Sequence, residues 1–208
     1  MPIMKKLFNN TRKPVGFLGK MMVRGMNSGH AAVTQWGLSC LPSSGSFQSI
    51  ADLGCGGGKA VKSLLTRFPE AKLTGLDYSD ISVETARKEN RKSIAEGRCQ
   101  IIQGDVSALP FAEESFDLVT AFETIYFWPG PDVSFQQVLR VLKPGGIFMI
   151  VCESDGEKAD DEKWLNMIDG MRVYKKDQLE QILLGCGFSS VEIHHNLQKH
   201  NLCLLAKK

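Results

Sequence analysis

From residue 48 onward, short apolar runs alternate with amphipathic stretches and turn residues, the pattern of β/α units wound around a largely parallel sheet. The apolar runs predict strands over 49–53, 72–76, 99–103, 116–121, 146–152, 190–194 and 202–206. Polar and apolar positions recurring at helical spacing predict helices over 59–67, 82–96, 133–142 and 178–185. Asp177 and Glu180, three residues apart, read as a capping-box-like pair opening the last of these helices, and Gly97, Gly145 and Gly187 sit where helices or turns must stop. Only the short break 196–201 separates the final two strands, which permits a hairpin and one antiparallel edge. Ahead of this unit Val33, Trp36, Gly37, Cys40 and Leu41 predict an amphipathic helix over 28–41, joined to the first strand by the linker 42–46. The expected organisation is an amino-terminal arm and cap helix, 1–47, followed by an α/β domain, 48–208.

Composition narrows the class. At 208 residues, 43% hydrophobic and 23% charged, the chain has the make-up of a globular domain, not of a disordered chain or a disulfide scaffold. Its longest uncharged apolar stretch near a strand pattern, 145–152, falls far short of the ~20 residues a bilayer span needs. The net charge of +2 is unevenly spread: no Asp or Glu precedes Asp52, while Lys5, Lys6, Arg12, Lys13, Lys20 and Arg24 make that segment +6 and leave the rest at −4. The arm reads as a solvated basic tail whose attraction to anions is local. Its early lysines interrupt any secretory leader pattern, so a cytoplasmic setting is expected. Six cysteines without a CxxC pair read as reduced small hydrophobes, and the four histidines show no zinc-ligand spacing, so no metal site is indicated.

The strongest local signal is Asp52-Leu53-Gly54-Cys55-Gly56-Gly57-Gly58, placed where a buried strand ends and a helix begins. Glycine there lets backbone approach a ligand closely. A phosphate-cradling GxxxxGK[ST] ending at Gly58-Lys59 fails, because Leu53 and Ala60 occupy the positions of its first glycine and its hydroxyl. A dinucleotide GxGxxG is disfavoured by Lys59, which stands at its third glycine. After the second strand comes Asp77, placed to accept the hydroxyls of a ribose lying over the strand ends; after the third come Gly104, Asp105 and Val106, whose carboxylate suits an adenine amine.

Those motifs, with GLDYS at 75–79, GDVSALPF at 104–111, SFDLVTAFE at 115–123, VLKPGG at 141–146 and GFSSVEI at 187–193, resemble the class I S-adenosylmethionine-dependent methyltransferases. The central motifs are most similar to the small-metabolite branch typified by ubiquinone and menaquinone biosynthesis enzymes. The resemblance implies a Rossmann-like seven-stranded, mostly parallel sheet with an antiparallel carboxyl-terminal hairpin and helices on both faces. It also implies S-adenosylmethionine as cofactor and S-adenosylhomocysteine as product. Carried onto this chain, Asp52, Gly54 and Gly56 surround the methionine amine and carboxylate, Asp77 holds the ribose, Tyr78 stacks beside the adenine, Asp105 and Val106 flank it, and Cys55, Gly104 and Phe122 are further cofactor-binding positions.

Methyl transfer from a sulfonium needs chiefly an in-line acceptor and the exclusion of water. The expected acceptor pocket lies beyond the fourth strand at Phe122-Glu123-Thr124-Ile125-Tyr126-Phe127-Trp128-Pro129, whose aromatic faces suit a sulfonium or an apolar acceptor, or serve as ordinary packing. His30, Glu123 and Tyr126 are the candidate general bases. The segment 154–171 is expected to roof the pocket, with Asp155, Glu157, Asp160, Asp161 and Glu162 as a solvated acidic face. The Met- and Gly-containing stretch 22–27 and the helix after it are expected to form a lid. A small-molecule acceptor is the expected partner. No Asn-Pro-Pro-Tyr element and no basic stripe support a nucleic acid, and no feature specifies an oligomeric state. The alternatives are a non-catalytic cofactor-binding regulator, an RNA methyltransferase served by the basic arm, and an NAD-dependent oxidoreductase.

Overall fold

The central strands are apolar on both faces, which forces helices to cover both sides of the sheet. The structure, a computed structural model, describes residues 29–42 and 47–208 together with Gly16, Gly19, Met21, Met22 and Gly25. Seven strands, β1 (Ser49–Leu53), β2 (Lys72–Asp77), β3 (Cys99–Gln103), β4 (Phe116–Phe122), β5 (Leu142–Cys152), β6 (Ser190–Asn196) and β7 (Asn201–Lys207), form one sheet in the order β3-β2-β1-β4-β5-β7-β6. β1 to β5 pair in parallel, and β7 inserts antiparallel between β5 and β6. The expected hairpin and mostly parallel sheet are therefore present.

The pleat divides the core in two. Leu53, Val119 and Ile150 face one side and pack with Phe135 and Val138 of α5 (Pro131–Val141) and Leu179 and Leu183 of α7 (Lys176–Cys186). Ile50, Leu118 and Met149 face the other, against α1 (Ala31–Cys40), α2 (Lys59–Arg67) and α3 (Asp80–Glu89). Gly37 lets α1 lie close to the sheet, since a Cβ there would come within 2.6 Å of Val151 Cγ2. With Val33, Leu38 and Leu41 buried in the same cluster, α1 shares the core of the α/β unit. The boundary expected at 47 thus separates segments that pack together. The basic residues of the arm, Ser28 and linker positions 43–46 lie outside the described residues, as does most of 22–27.

Two expected features take a different form. The helix predicted over 82–96 is split into α3 and α4 (Arg91–Ala95), because the buried amide of Asn90 donates to the carbonyls of Gly58 and Ala86 at 2.9 and 3.0 Å and turns the chain there. At the start of α7 the reciprocal bond is made by Gln178, whose Oε1 accepts from the Lys175 N–H at 3.0 Å, in place of the Asp177 and Glu180 pair. Two short elements escaped the periodicity: a 3-10 turn at Ile125–Phe127 and α6 (Asp161–Met167). No helix among the described residues is long and apolar enough to cross a membrane.

Candidate active site

β1, β2, β4 and β5 run parallel, so their carboxyl ends open on one edge of the sheet, where ligands of doubly wound folds bind. A cavity of about 640 Å³ lies there. Leaving β1, the chain turns at Gly54 (φ +73°) and Gly56 (φ +51°), and the N–H groups of Gly54 and Cys55 donate to the Leu76 carbonyl at 2.7 and 3.0 Å. A Cβ on Gly54 would collide with Thr124, so glycine there lets the loop and the segment after β4 meet. Around Gly56 the space is open.

Asp77, at the end of β2, accepts from Gly56 N–H through Oδ2 and from Ser79 N–H through Oδ1, both at 2.9 Å. It is thereby fixed across the loop while still lining the cavity. Burial raises its pKa, against the pull of these N–H donors. Asp105 uses Oδ1 to hold Ser107 N–H and Oγ at 2.8 and 2.7 Å, and with Gly104, Val106 and Tyr78 it lines the same wall.

Every candidate residue reaches this cavity except Asp52. Asp52 lies 1% exposed within the sheet, its Oδ1 accepting from Thr120 Oγ1 at 2.7 Å and its Oδ2 without a partner. Burial lifts its pKa to about 7, with the nearby Asp77 adding to the rise. Its place is thus beneath the glycine loop, off the cavity wall that the other candidates line.

The far end of the cavity is built by three elements. Glu123 follows β4 with φ +56°, an unusual conformation for a non-glycine residue, and its N–H donates to Val151 carbonyl at 2.9 Å. Its Oε2 accepts from the Tyr126 hydroxyl at 3.3 Å, and burial together with the charge of Glu153 holds its pKa well above the ordinary carboxyl range. Burial likewise raises that of Tyr126. His30, immediately before α1, places Nε2 3.9 Å from Oε1 of Glu153, at the end of β5. Sequence reasoning missed Glu153: a single carboxylate after an apolar strand carries no spacing signal, and only the parallel pairing of β4 and β5 sets it beside Glu123. The aromatic run divides, with Tyr126 and Phe127 lining the cavity and Trp128 also stacking on Phe148 of the core at 6.1 Å.

The roof expected over 154–171 is present, with Ser154, Lys158, Trp164, Ile168 and Met171 on the cavity wall. Of its acidic run, Glu157, Asp160 and Glu162 are exposed as expected, but Asp155 and Asp161 are buried. Asp161 is 8% exposed and accepts from Ser154 Oγ at 2.6 Å and from Lys158 N–H at 3.2 Å. Asp155 is 3% exposed and pairs with His195 Nε2 at 2.7 Å and His200 Nδ1 at 3.1 Å, clamping the roof to the β6–β7 hairpin.

Residues 51–150 match the family described as "Methyltransferase domain". The chain is similar to sterol 24-C-methyltransferase of Debaryomyces hansenii, 30% identical over 148 residues that make up 67% of this chain and 39% of that protein. Its backbone is similar to a methyltransferase in complex with the Trm112 activator from Haloferax volcanii, with TM-score 0.79, 20% identity and coverage of 89% of this chain and 92% of the other. It is also similar to human N-acetylserotonin methyltransferase in complex with SAM, with TM-score 0.76, 18% identity and coverage of 92% and 60%. At these structural identities the likeness carries the fold.

Proposed function

We propose that this chain, a member of the class I S-adenosylmethionine-dependent methyltransferases, transfers a methyl group to a small-molecule acceptor by direct in-line displacement. The observation that carries this reading is Asp77: its carboxylate is locked across the glycine loop by Gly56 and Ser79 and faces the cavity, offering acceptor oxygens to which the hydroxyls of a ribose diol can donate. The donor set fits the cofactor, since the open space at Gly56 admits close backbone approach and Asp105 keeps Oδ2 for an adenine amine. When bound, the cofactor supplies an electrophilic methyl on a positively charged sulfur. Asp77 would hold the ribose, Tyr78 and Val106 the adenine, and the Gly54–Gly56 backbone the methionine moiety.

The remaining residues act on the acceptor. Tyr126, Phe127, Trp164 and Met171 shape a slot that excludes water, and Glu123 or His30 takes the acceptor's proton. A small acceptor is favoured because the roof and α1 close the cavity from two sides. A cytoplasmic setting belongs to this reading, supported by six cysteines that are all unpaired.

Calorimetry with S-adenosylmethionine, S-adenosylhomocysteine and NAD, on wild type and Asp77→Ala, tests the proposal. Binding of the first two, weakened more than tenfold in the variant, with none for NAD, is expected. NAD binding alone would return the glycine loop to dinucleotide chemistry. Transfer of a deuterated methyl group to a component of cell extracts separates an enzyme from a non-catalytic cofactor-binding regulator.

A further inference from the structure

We propose that His30, Glu123 and Glu153 bind one divalent transition-metal cation at the acceptor end of the cavity. The three residues come from three separate places, the start of α1, the end of β4 and the end of β5, and each offers one ligand atom within 4.8 Å of the other two. Nitrogen and oxygen ligands about 2.0–2.2 Å from a metal ion lie roughly 3–4 Å from one another. Small side-chain rotations close the set around a shared ion.

A second observation points to a ligand. Oε1 of Glu123 is buried with no hydrogen-bond partner, while the rest of its carboxylate draws on the Glu153 backbone N–H and on the 3.3 Å bond from Tyr126 to Oε2. A buried carboxylate acceptor left unmet is costly, and native proteins rarely keep one without a use. The Glu153 backbone N–H and the charge of Lys158 ease the burial of this carboxylate but leave Oε1 unmet: the Glu153 side chain adds a second carboxylate, and the 3.9 Å separation of His30 from Glu153 is too long for a hydrogen bond. Among the described residues lining the cavity, Lys158 and Arg172 are cations on the roof side, and Lys59 lies on the wall of the glycine loop.

The mixed donor set favours a metal over an organic ammonium ion. Two carboxylates alone would suit either, whereas an imidazole nitrogen converging on the same point is a preferred ligand of iron, nickel, copper or zinc ions, and the two carboxylates suit manganese as well. Three protein ligands leave coordination positions open toward the cavity. An acceptor hydroxyl or enol oxygen bound there would give up its proton to solvent more readily, because the cation stabilises the oxyanion that attacks the methyl group; with the cation bound, Glu123 and His30 serve as ligands in place of the general-base role given above. The acceptor class is therefore an oxygen nucleophile able to coordinate a metal. This assignment of the acceptor rests on the methyl-transfer reading, while the cation site does not.

Mn²⁺ binding to the cofactor-free protein, followed by loss of the free-ion electron paramagnetic resonance signal, tests the site. One ion per chain is expected for wild type, with at least tenfold weaker binding in Glu153→Gln and in His30→Ala. Glu153 has a side chain 48% exposed, so its variant tests the site even if Glu123→Gln fails to fold. Circular dichroism and S-adenosylhomocysteine binding establish that each variant is intact. Absence of saturable binding of both Mn²⁺ and Zn²⁺ at millimolar concentration, or equal affinity in wild type and both variants, would overturn the site. Retained Mn²⁺ binding with no cofactor binding would instead overturn the methyltransferase reading and leave the metal site standing.

Discussion

At the residue scale, Asp52 ties the head of the glycine motif into the interior of the sheet. It is buried in the sheet with one oxygen unpaired, and burial raises its pKa from the usual carboxylate range to about 7. The folded state therefore holds a proton that the unfolded chain releases near pH 4. Stability from this group is fully present below that pH and is lost as pH rises toward 7. At ~1.4 kcal/mol for each pH unit separating the folded and unfolded values, its contribution to that decline is about 4 kcal/mol. Asp52→Asn is expected to keep the low-pH stability and to flatten the decline, as read by urea unfolding of both proteins across that pH range. A decline of the same steepness in the variant would assign it to other groups. The sequence marks Asp52 correctly as the head of the glycine motif, yet its depth is invisible there, because the register that sets it against Thr120 of β4 is a long-range pairing.

At the scale of elements, the roof and the cap helix are two attachments of different strength. Asp155 ties the roof to the hairpin through His195 and His200. Burial pushes its pKa up, but these histidines and the Glu157 N–H outweigh it and hold the group below its ordinary value. The stability it contributes is present above the ordinary carboxylate range and is lost as pH falls through the depressed value. Asp155→Ala should cost about 1–3 kcal/mol, the scale of a lost buried polar partner, and should speed amide hydrogen exchange over 154–171. Unchanged exchange there would show that the roof is held from elsewhere. α1 is bound more deeply, through Val33, Leu38 and the close approach of Gly37 to β5. Deleting residues 1–41 should lower the melting temperature, weaken cofactor binding and abolish turnover, whereas full activity would rule out the lid. Asp155 looked solvated in the sequence because its partners, His195 and His200, lie some forty residues away in the hairpin. The split at Asn90 was hidden for a similar reason: its amide bonds reach back to the loop at Gly58.

For the whole molecule, topology was legible where periodicity and turn residues agree. Strand positions, a largely parallel sheet and the late hairpin follow from local runs, while the strand order does not, and observed strand ends differ from expected ones by a few residues at most. What local patterns could not supply was convergence: Glu123, Glu153 and His30 meet only because β4 and β5 pair and α1 covers their ends. Because both cores flank the cavity, a ligand held there should stabilise the fold as a unit. At a hundredfold excess over Kd, S-adenosylhomocysteine should add about 2.7 kcal/mol, a rise of roughly 5–10 °C in Tm for a domain of this size. NAD should leave Tm in place, and scanning fluorimetry checks both.

The insertion of β7 between β5 and β6 also sets an order of events. β6 is made before β7, yet β7 is its sole neighbour in the sheet. On a growing chain, β6 emerges with no strand to receive it, and its apolar positions stay open to water until the next strand doubles back. Until β7 pairs with it, β6 is an unprotected edge, so the closing of this hairpin bears on how much of the protein reaches its folded form.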